Sequence, residues 1–242
     1  MGQAAAFFFV KWEEASEAKC LRRLTSEKLD GIILIDFYDD LRVVGVPVVL
    51  CTFGRDEFDF PSVHVDEYAG AIAATRHLIG LGHRNIGLIS GRQFSFGAQR
   101  AAGYRNALEA AGIPVDEERI IMVPSYSPEA GCAAMYELLA RGKGLTALFA
   151  ATDERAIGAV RALWEKGLRV PDDCSIVGFD DIDISVSLSP GLTTVRQPIV
   201  DIGQRTAELM SQRIAGEANG MFSTVFRHEL MVRDSSRALV QR

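Results

Sequence analysis

Polar side chains follow several short apolar segments of this sequence, either where the segment ends or, for Arg100, after the loop Ser90–Gln99. They are Arg100, Ser125, Tyr126, Thr152, Asp153, Asp180, Asp181 and Asp183. Carboxylates accept hydrogen bonds from neighbouring hydroxyls, an arginine donates two in a fixed fork, and an aromatic ring covers the apolar face of a sugar or purine. Together these residue types predict a site for a small polyhydroxylated or heterocyclic ligand.

Some of these side chains also have a simpler interpretation that involves no ligand. Asp153 stands where the N-cap of a helix is expected, and Arg100 could lie on a helix surface. Asp181 and Asp183 could be solvated loop charges. Asp180, Asp181 and Asp183 could instead hold Mg²⁺ as in a phosphatase, but no glycine-rich phosphate loop accompanies them.

The motifs of several common enzyme classes are missing from the sequence. It contains no G-x-G-x-x-G, no G-x-x-x-x-G-K-[ST] and no G-x-S-x-G. Its four histidines, His64, His77, His83 and His228, lack the spacing of zinc ligands, and packing or capping is the ordinary role for His77 and His83. The sequence therefore predicts a ligand-binding protein rather than an enzyme, with no cofactor and no metal.

The composition excludes further classes of protein. Of 242 residues, 48% are hydrophobic and 24% are charged, which suits one large domain or two lobes and not a disordered polymer. No apolar run approaches the roughly 18 residues of a membrane span. The segment Ala4–Val10 is too short for a signal-peptide core, and the charged Lys11–Glu14 follows it. We therefore predict a soluble, cytoplasmic protein.

The charge and the cysteines add two expectations. The formal net charge is −6, from 26 Lys and Arg against 32 Asp and Glu, and no basic run stands out. Surfaces that bind duplex DNA are normally rich in Lys and Arg, so this chain alone is expected to bind nucleic acid poorly. The four cysteines, Cys20, Cys51, Cys132 and Cys174, are far apart in the sequence, which predicts buried reduced thiols.

Short apolar segments alternate with amphipathic segments from residue 31 onward. The predicted strands are Gly31–Ile35, Pro47–Cys51, Asn85–Ile89, Arg119–Val123, Leu145–Ala150, Cys174–Phe179 and Thr224–Arg233. The predicted helices are Glu67–Leu81, Ala98–Ala111, Pro128–Ala140, one from Asp153 that ends at Gly167, and Val200–Ile214. This alternation predicts βαβ units and parallel sheets, with a ligand at the carboxyl ends of the strands.

The N-terminal region fits the pattern less well. Ala4–Val10 could form a strand and Glu13–Lys28 a helix. A first lobe built in this way has only three or four strands, so it is expected to be truncated.

Six stretches of the sequence resemble the LacI family of bacterial transcription regulators, to which the lactose repressor belongs. They are HLIGLGHRNIGLISG (77–91), RAAGY (100–104), TDERAIG (152–158), SIVGFDD (175–181), LTTVRQP (192–198) and ELMVRDS (229–235). The stretches keep the order and spacing of the family over roughly residues 29–236. Their combination is highly specific, although each is weak alone.

The resemblance implies the α/β fold of the type I periplasmic binding proteins, in which three crossovers join two lobes of parallel sheet flanked by helices. The expected N-terminal lobe comprises residues 1–65 and 197–222, and the expected C-terminal lobe comprises residues 66–196 and 223–242. The family's helix-turn-helix headpiece and most of its first βαβ unit have no counterpart, so a DNA-binding domain is expected to be absent. The family also forms homodimers through this core, and the helix face with Ala156, Val160 and Trp164 either contributes to the dimer or is ordinary core.

The resemblance also implies ligand contacts at the matching positions. Asp180 is expected to accept hydrogen bonds from the ligand, Arg100 to clamp it and Tyr126 to stack on it. Thr152 and Gln197 match weaker polar contacts.

The sequence departs from the family at two further points. Thr52 stands where the family often has an acidic residue, and the loop Asp36–Gly45 is short.

These observations predict the effector-binding core of a transcription regulator. A small molecule would close the two lobes and so control operator binding by the full-length protein. A sugar or sugar derivative is favoured over a purine as this molecule. The alternative is a periplasmic sugar-binding protein of a transporter, which shares the fold, although the stretches 193–198 and 232–235 favour the regulator. A third interpretation is an enzyme with a metal in the aspartate cluster.

Overall fold

A computed structural model describes residues 29–35, 45–51, 60–91, 95–142, 144–217 and 223–240. The predicted strand Ala4–Val10, the predicted helix Glu13–Lys28 and Thr52 lie outside these residues, as do Cys20 and most of the loop Asp36–Gly45. No helix in the described part of the chain is long and apolar enough to cross a membrane.

Ten strands and five helices are found in the described residues. The strands are β1 (Ile32–Ile35), β2 (Val48–Cys51), β3 (Ser62–Val65), β4 (Ile86–Gly91), β5 (Ile120–Val123), β6 (Ala147–Ala150), β7 (Ser175–Asp180), β8 (Thr193–Arg196), β9 (Ser223–Phe226) and β10 (Glu229–Met231). The helices are α1 (Glu67–Gly80), α2 (Ser95–Ala110), α3 (Pro128–Ala140), α4 (Asp153–Glu165) and α5 (Ile199–Ile214).

The chain divides into two compact units, with the divisions after His64, Pro198 and Val225. The smaller unit contains a sheet in the order β1-β2-β3-β9, with β1, β2 and β3 parallel. Ile32, Leu34, Val48 and Leu50 form its buried apolar cluster. Helix α5 packs on this sheet through Thr206, whose hydroxyl lies 3.5 Å from the Cys51 sulfur.

The larger unit contains a six-stranded sheet in the order β10-β8-β7-β6-β4-β5. All of its strand pairs are parallel except β10 with β8. Successive side chains of a strand point to opposite faces of the sheet. On β6, Phe149 belongs to the apolar cluster of α1 and α2, whereas its neighbour Leu148 belongs to the cluster of α3 and α4. Helices therefore cover both faces, which confirms the predicted α/β fold.

Two strands were not predicted, and one predicted strand was wrong. β3 and β8 contain Ser62, Thr193 and Thr194, which lie buried although they are polar. The Thr193 hydroxyl donates to the carbonyl oxygen of Arg233 at 3.0 Å, so tertiary partners replace water. The single predicted strand Thr224–Arg233 is two strands, because β9 joins the sheet of the smaller unit while β10 pairs with β8 in the larger unit.

Helices α3 and α4 pack closely at two glycines. A Cβ atom on Gly158 would lie 1.9 Å from the carbonyl oxygen of Pro128, and one on Gly131 would lie 2.3 Å from the carbonyl oxygen of Arg155. These separations are far below van der Waals contact and involve backbone atoms, which cannot rotate away. The two glycines therefore allow the two helix backbones to touch, and this contact fixes the N-terminal turn of α4.

We predict that Gly158→Ala destabilises the protein, because the added methyl group must push the helix backbones apart. The free energy of unfolding should fall by about 3 kcal/mol, the upper end of ordinary overpacking. Urea unfolding followed by circular dichroism measures it. Gly80→Ala is the control, since a Cβ there meets nothing within 4 Å. Equal stability of the two variants would contradict the inferred helix contact.

Candidate functional site

The carboxyl ends of four adjacent parallel strands form one edge of the larger sheet. β5, β4, β6 and β7 lie side by side and end at Val123, Gly91, Ala150 and Asp180. The candidate ligand residues follow these ends or lie on the helices that begin near them. We call this region the carboxyl edge.

Arg100 lies at the carboxyl edge and not on a helix surface. It belongs to the second turn of α2, and only 3% of the residue is exposed. Its Nε donates to Glu67 Oε2 at 2.6 Å, one terminal nitrogen donates to the carbonyl oxygen of Ala151, and the other donates to Asp180 Oδ1 at 3.3 Å. Its guanidinium carbon lies 3.7 Å from the centre of the Phe179 ring. Each nitrogen of the Arg100 guanidinium therefore donates to a specific acceptor.

Asp180 is the last residue of β7 and turns the chain sharply. Its φ of 112° lies in the region that favours glycine, and the φ of Asp181 is 55°. Asp180 Oδ1 accepts from Arg100 and also from Gln197 Nε2 at 2.7 Å. The structure thus brings three of the five predicted site residues into one hydrogen-bonded group.

The electrostatics of this group are set by burial. Burial raises the pKa of Asp180 to about 7, against the lowering effect of Arg100 and of the hydrogen bond from Gln197. Burial alone would lower the pKa of Arg100, but the carboxylates of Glu67 and Asp180 outweigh it and raise that pKa. Arg100 therefore stays charged, while Asp180 can gain or lose a proton near neutral pH.

Tyr126 provides an aromatic wall after β5. Its ring stacks on Phe96 of α2 with the ring centres 5.7 Å apart and an interplanar angle of 23°. The guanidinium carbons of Arg100 and Arg155 lie near these two rings, at 5.0 Å from Phe96 and 4.9 Å from Tyr126. Such stacked rings suit the apolar face of a sugar or a base.

The N-cap of α4 is Thr152 and not Asp153, so the capping interpretation of Asp153 is wrong. The Thr152 hydroxyl accepts from the amide of Arg155 at 3.3 Å. Asp153 is fully buried and accepts from three donors. They are the hydroxyls of Thr194 at 2.5 Å and Ser185 at 2.6 Å and the amide of Ile182 at 3.0 Å. Burial raises the pKa of Asp153, and these hydrogen bonds oppose that effect.

The interpretation of Asp181 as a solvated charge is also wrong. Only 5% of its side chain is exposed, because it lies between two arginines. Its Oδ2 accepts from Arg196 Nε at 2.6 Å, and its Oδ1 accepts from Arg233 at the same distance. Asp183 is exposed, as expected. Among the described residues no group of three or more acidic, histidine or cysteine side chains could hold a metal ion.

Sequence reasoning missed Glu67, Phe96, Phe179 and Arg155. Glu67 is 3% exposed and stands in the first turn of α1, where an acidic residue is usually read as a helix-dipole partner. It comes two residues after the end of β3, but β3 itself was not predicted, so the sequence offered no signal for Glu67. Arg155 is hidden in the sequence because it lies on the apolar face of an amphipathic helix.

His83 and the three described cysteines lie buried in the fold. His83 contacts the hydroxyls of Thr146 and Ser175 at 3.0 and 3.1 Å, and burial lowers its pKa. Cys51, Cys132 and Cys174 are buried and form no disulfide.

Comparison with known proteins identifies the family of this chain. Residues 75–236 match the model of the periplasmic binding protein-like domain. A LacI family transcriptional regulator from Enterococcus faecium, solved with bound ribose, is 29% identical over 93% of this chain and 86% of its own, with a TM-score of 0.83. The chain belongs to the LacI family.

Two further LacI-type matches carry the name CelR. The HTH-type transcriptional regulator CelR of Thermobifida fusca is 37% identical over 88% of this chain, which spans 65% of that relative's length. The structure of a CelR–cellobiose complex is 34% identical, covers 92% of this chain and 71% of its own, and has a TM-score of 0.86. These relatives are named as transcription regulators and not as enzymes or transport proteins.

We predict that Asp181→Asn destabilises the protein without removing any group of the carboxyl edge. The free energy of unfolding should fall by about 1–3 kcal/mol, because Arg233 loses a charged partner while Arg196 is partly exposed and loses less. Thermal unfolding measures it, with the exposed Asp183→Asn as the control. Loss of ligand affinity at unchanged stability would contradict this structural role.

Proposed function

We propose that this chain is the effector-binding core of a bacterial transcription regulator. A small molecule binds at the carboxyl edge and controls operator DNA binding by the full-length protein in the cytoplasm. A sugar or sugar derivative is favoured over a purine as this molecule. The observation that carries the proposal is the group of Arg100, Asp180 and Gln197, in which a partly exposed carboxylate is held by two donors. Such a carboxylate has lone pairs left for ligand hydroxyls.

Each predicted site residue has a proposed part in binding. Asp180 accepts hydrogen bonds from ligand hydroxyls, Arg100 and Gln197 hold that carboxylate and donate to the ligand, and Tyr126 stacks on its apolar face. Thr152 is buried and caps α4 through its oxygen, so its contribution is the hydrogen bond that its hydroxyl can donate. The bound cellobiose and ribose of the two related structures support a sugar.

The comparisons argue against a periplasmic transport protein, and the site argues against a metal-dependent enzyme. A periplasmic transport protein is not favoured by relatives that are named as transcription regulators. An enzyme with a metal in the aspartate cluster would need Asp181 as a ligand, but Asp181 is held by Arg196 and Arg233. We therefore propose that the protein binds its ligand without transforming it.

A thermal-shift screen of this chain against aldoses, disaccharides, sugar acids, sugar phosphates and nucleobases tests the proposal. A ligand at 100 times its Kd adds about 2.7 kcal/mol to the stability of the state that binds it, so one effector class should raise Tm clearly. Product analysis of the same mixtures should recover the ligand unchanged. Turnover of a ligand, or no response to any class, would overturn the proposal.

We predict that Asp180→Asn weakens effector binding while the protein stays folded. The variant keeps the shape of the side chain but loses the charge and one acceptor. Because hydrogen bonds to charged groups contribute about 1.5–3 kcal/mol, the affinity should fall about 10- to 150-fold. Calorimetry measures it, with Asp183→Asn as a matched carboxylate in the exposed turn that follows. Similar small losses in both variants would remove Asp180 from the site.

Because the pKa of Asp180 is raised, the affinity for the effector should depend on pH. An ionised carboxylate accepts more hydrogen bonds than a protonated one, so binding favours ionised Asp180 and releases its proton. Since its pKa is about 7, affinity for an uncharged sugar should decline as the pH falls from 8 to 6. The nearby charged groups, Arg100, Glu67 and Asp153, act on this pKa in both directions. Asp180→Asn should abolish the dependence.

We also predict a homodimer, as the family resemblance implies. On the helix face proposed for the dimer, Ala156 is buried and Val160 is half-buried, but 76% of Trp164 is exposed. Ordinary core therefore explains Ala156 and does not explain Trp164. Light scattering at tens of micromolar should give a dimer, which Trp164→Glu should weaken. Val232→Glu, at another exposed apolar residue, is the control, and a monomeric wild type would contradict the prediction.

A further inference from the structure

A second arginine, Arg155, lies at the carboxyl edge and takes no part in the group around Asp180. It belongs to the first turn of α4 and is 0% exposed. Its Nε donates to the carbonyl oxygen of Ser125 at 3.2 Å, and its guanidinium carbon lies 4.9 Å from the centre of the Tyr126 ring. Two contacts therefore fix the plane of this guanidinium beside the proposed stacking residue.

The two terminal nitrogens of Arg155 have no hydrogen-bond partner among the described residues. No carboxylate in that part of the chain forms an ion pair with them either, since none approaches within 4.0 Å. Burial and the neighbouring Arg100 lower the pKa of Arg155 to about 10, which still leaves it a cation at neutral pH. A buried cation without a partner is costly, and a buried arginine normally has its donors satisfied.

The unpartnered nitrogens lie at the end of β4. A Cβ atom on Gly91 would lie 3.0 Å from one terminal nitrogen of Arg155, so the glycine leaves the space that the guanidinium occupies. Gly91 ends β4, and Ser125 and Tyr126 follow β5, its neighbour in the sheet. The free side of the guanidinium is therefore placed where the proposed effector would lie.

Arg100 provides the comparison within the same site. Its guanidinium is equally buried, but Glu67, Ala151 and Asp180 accept from all of its nitrogens. Arg100 thus needs no further anion, whereas the terminal nitrogens of Arg155 have no acceptor in the described part of the chain. The planar fork of an arginine matches the two oxygens of a carboxylate or phosphate in two parallel hydrogen bonds.

We propose that the terminal nitrogens of Arg155 bind an anionic group of the effector. The effector is then an acidic sugar, a sugar acid or a sugar phosphate, with its hydroxyls on Asp180 and its anionic group on Arg155. This inference rests on the proposed function and narrows its ligand class. Both kinds of effector present an anion with at least two oxygens, and the experiment distinguishes a carboxylate from a phosphate.

The test compares the wild type with Arg155→Met, which keeps the length of the side chain and removes its charge. Arg161→Met is the matched control, because Arg161 lies on the same helix but is exposed and paired with Glu165. Calorimetry and thermal shift are run with glucose and galactose, with glucuronate and galacturonate, with the two hexose 6-phosphates, and with inorganic phosphate against chloride.

An acidic sugar should bind the wild type about 10- to 150-fold more tightly than its uncharged parent, the range for hydrogen bonds to charged groups. Arg155→Met should remove that preference, and Arg161→Met should keep it. The ligand-free Arg155→Met protein should also have a higher Tm than the wild type, because it no longer buries an unpaired charge. The carboxylate and phosphate arms show which anion is preferred.

Three outcomes would overturn the inference. If uncharged sugars bind as tightly as acidic ones and Arg155→Met leaves them unchanged, the proposed function stands and the anion site falls. If Arg155→Met weakens all ligands equally and lowers Tm, Arg155 only supports Tyr126. If no sugar of any class and no phosphate binds the wild type, the proposed function and the inference fall together.

Discussion

The carboxylate of Asp153 is the interaction on which the carboxyl edge depends. It is buried, and it accepts hydrogen bonds from Thr194 of β8, from Ser185 and from the amide of Ile182. These three donors come from the neighbouring strand and from the turn that follows Asp180. One side chain on α4 thus fixes the path of the chain after β7, including two residues with positive φ. A buried carboxylate that accepts from three fixed donors favours one arrangement of those donors over others.

The placement of Asp180 follows from this constraint. Its backbone has a φ of 112°, which a residue with a side chain adopts only when its surroundings over-determine it. After Asp180, the carboxylate of Asp153 holds Ile182 and Ser185, and the ion pairs of Asp181 with Arg196 and Arg233 hold the residue directly next to Asp180. Pairing of β7 with β8 fixes the residue before Asp180 and this turn fixes the residues after it, so the carboxylate of Asp180 is placed within reach of Arg100 and Gln197. Strained backbone at a site of this kind is commonly the means by which a functional side chain is oriented.

The apolar framework of this site could be predicted from the sequence because it depends on local patterns. Runs of apolar residues predicted six of the strands, and helix α3 has the predicted bounds Pro128–Ala140. The polar interior could not be predicted in the same way. Thr193, Asp181 and Glu67 look like surface residues in sequence, and they are buried because their partners come from elements distant along the chain. The family resemblance supplied Arg100, Asp180 and Gln197 as a set, but it did not indicate that Glu67 completes it.

On the proposal made for Arg155, the two buried arginines differ in what a ligand adds to the site. Arg100 approaches the edge from α2 on one face of the sheet, and Arg155 approaches it from α4 on the other face. The first is neutralised by Glu67 and Asp180, so it needs no anion from the ligand. The second has no counter-ion among the described residues, so an anion there relieves a cost that the ligand-free state carries. A ligand shifts an equilibrium only by the difference in its affinity for the two states. On the proposal made for Arg155, a conformation in which an anion reaches these buried donors binds the ligand better than one in which it does not.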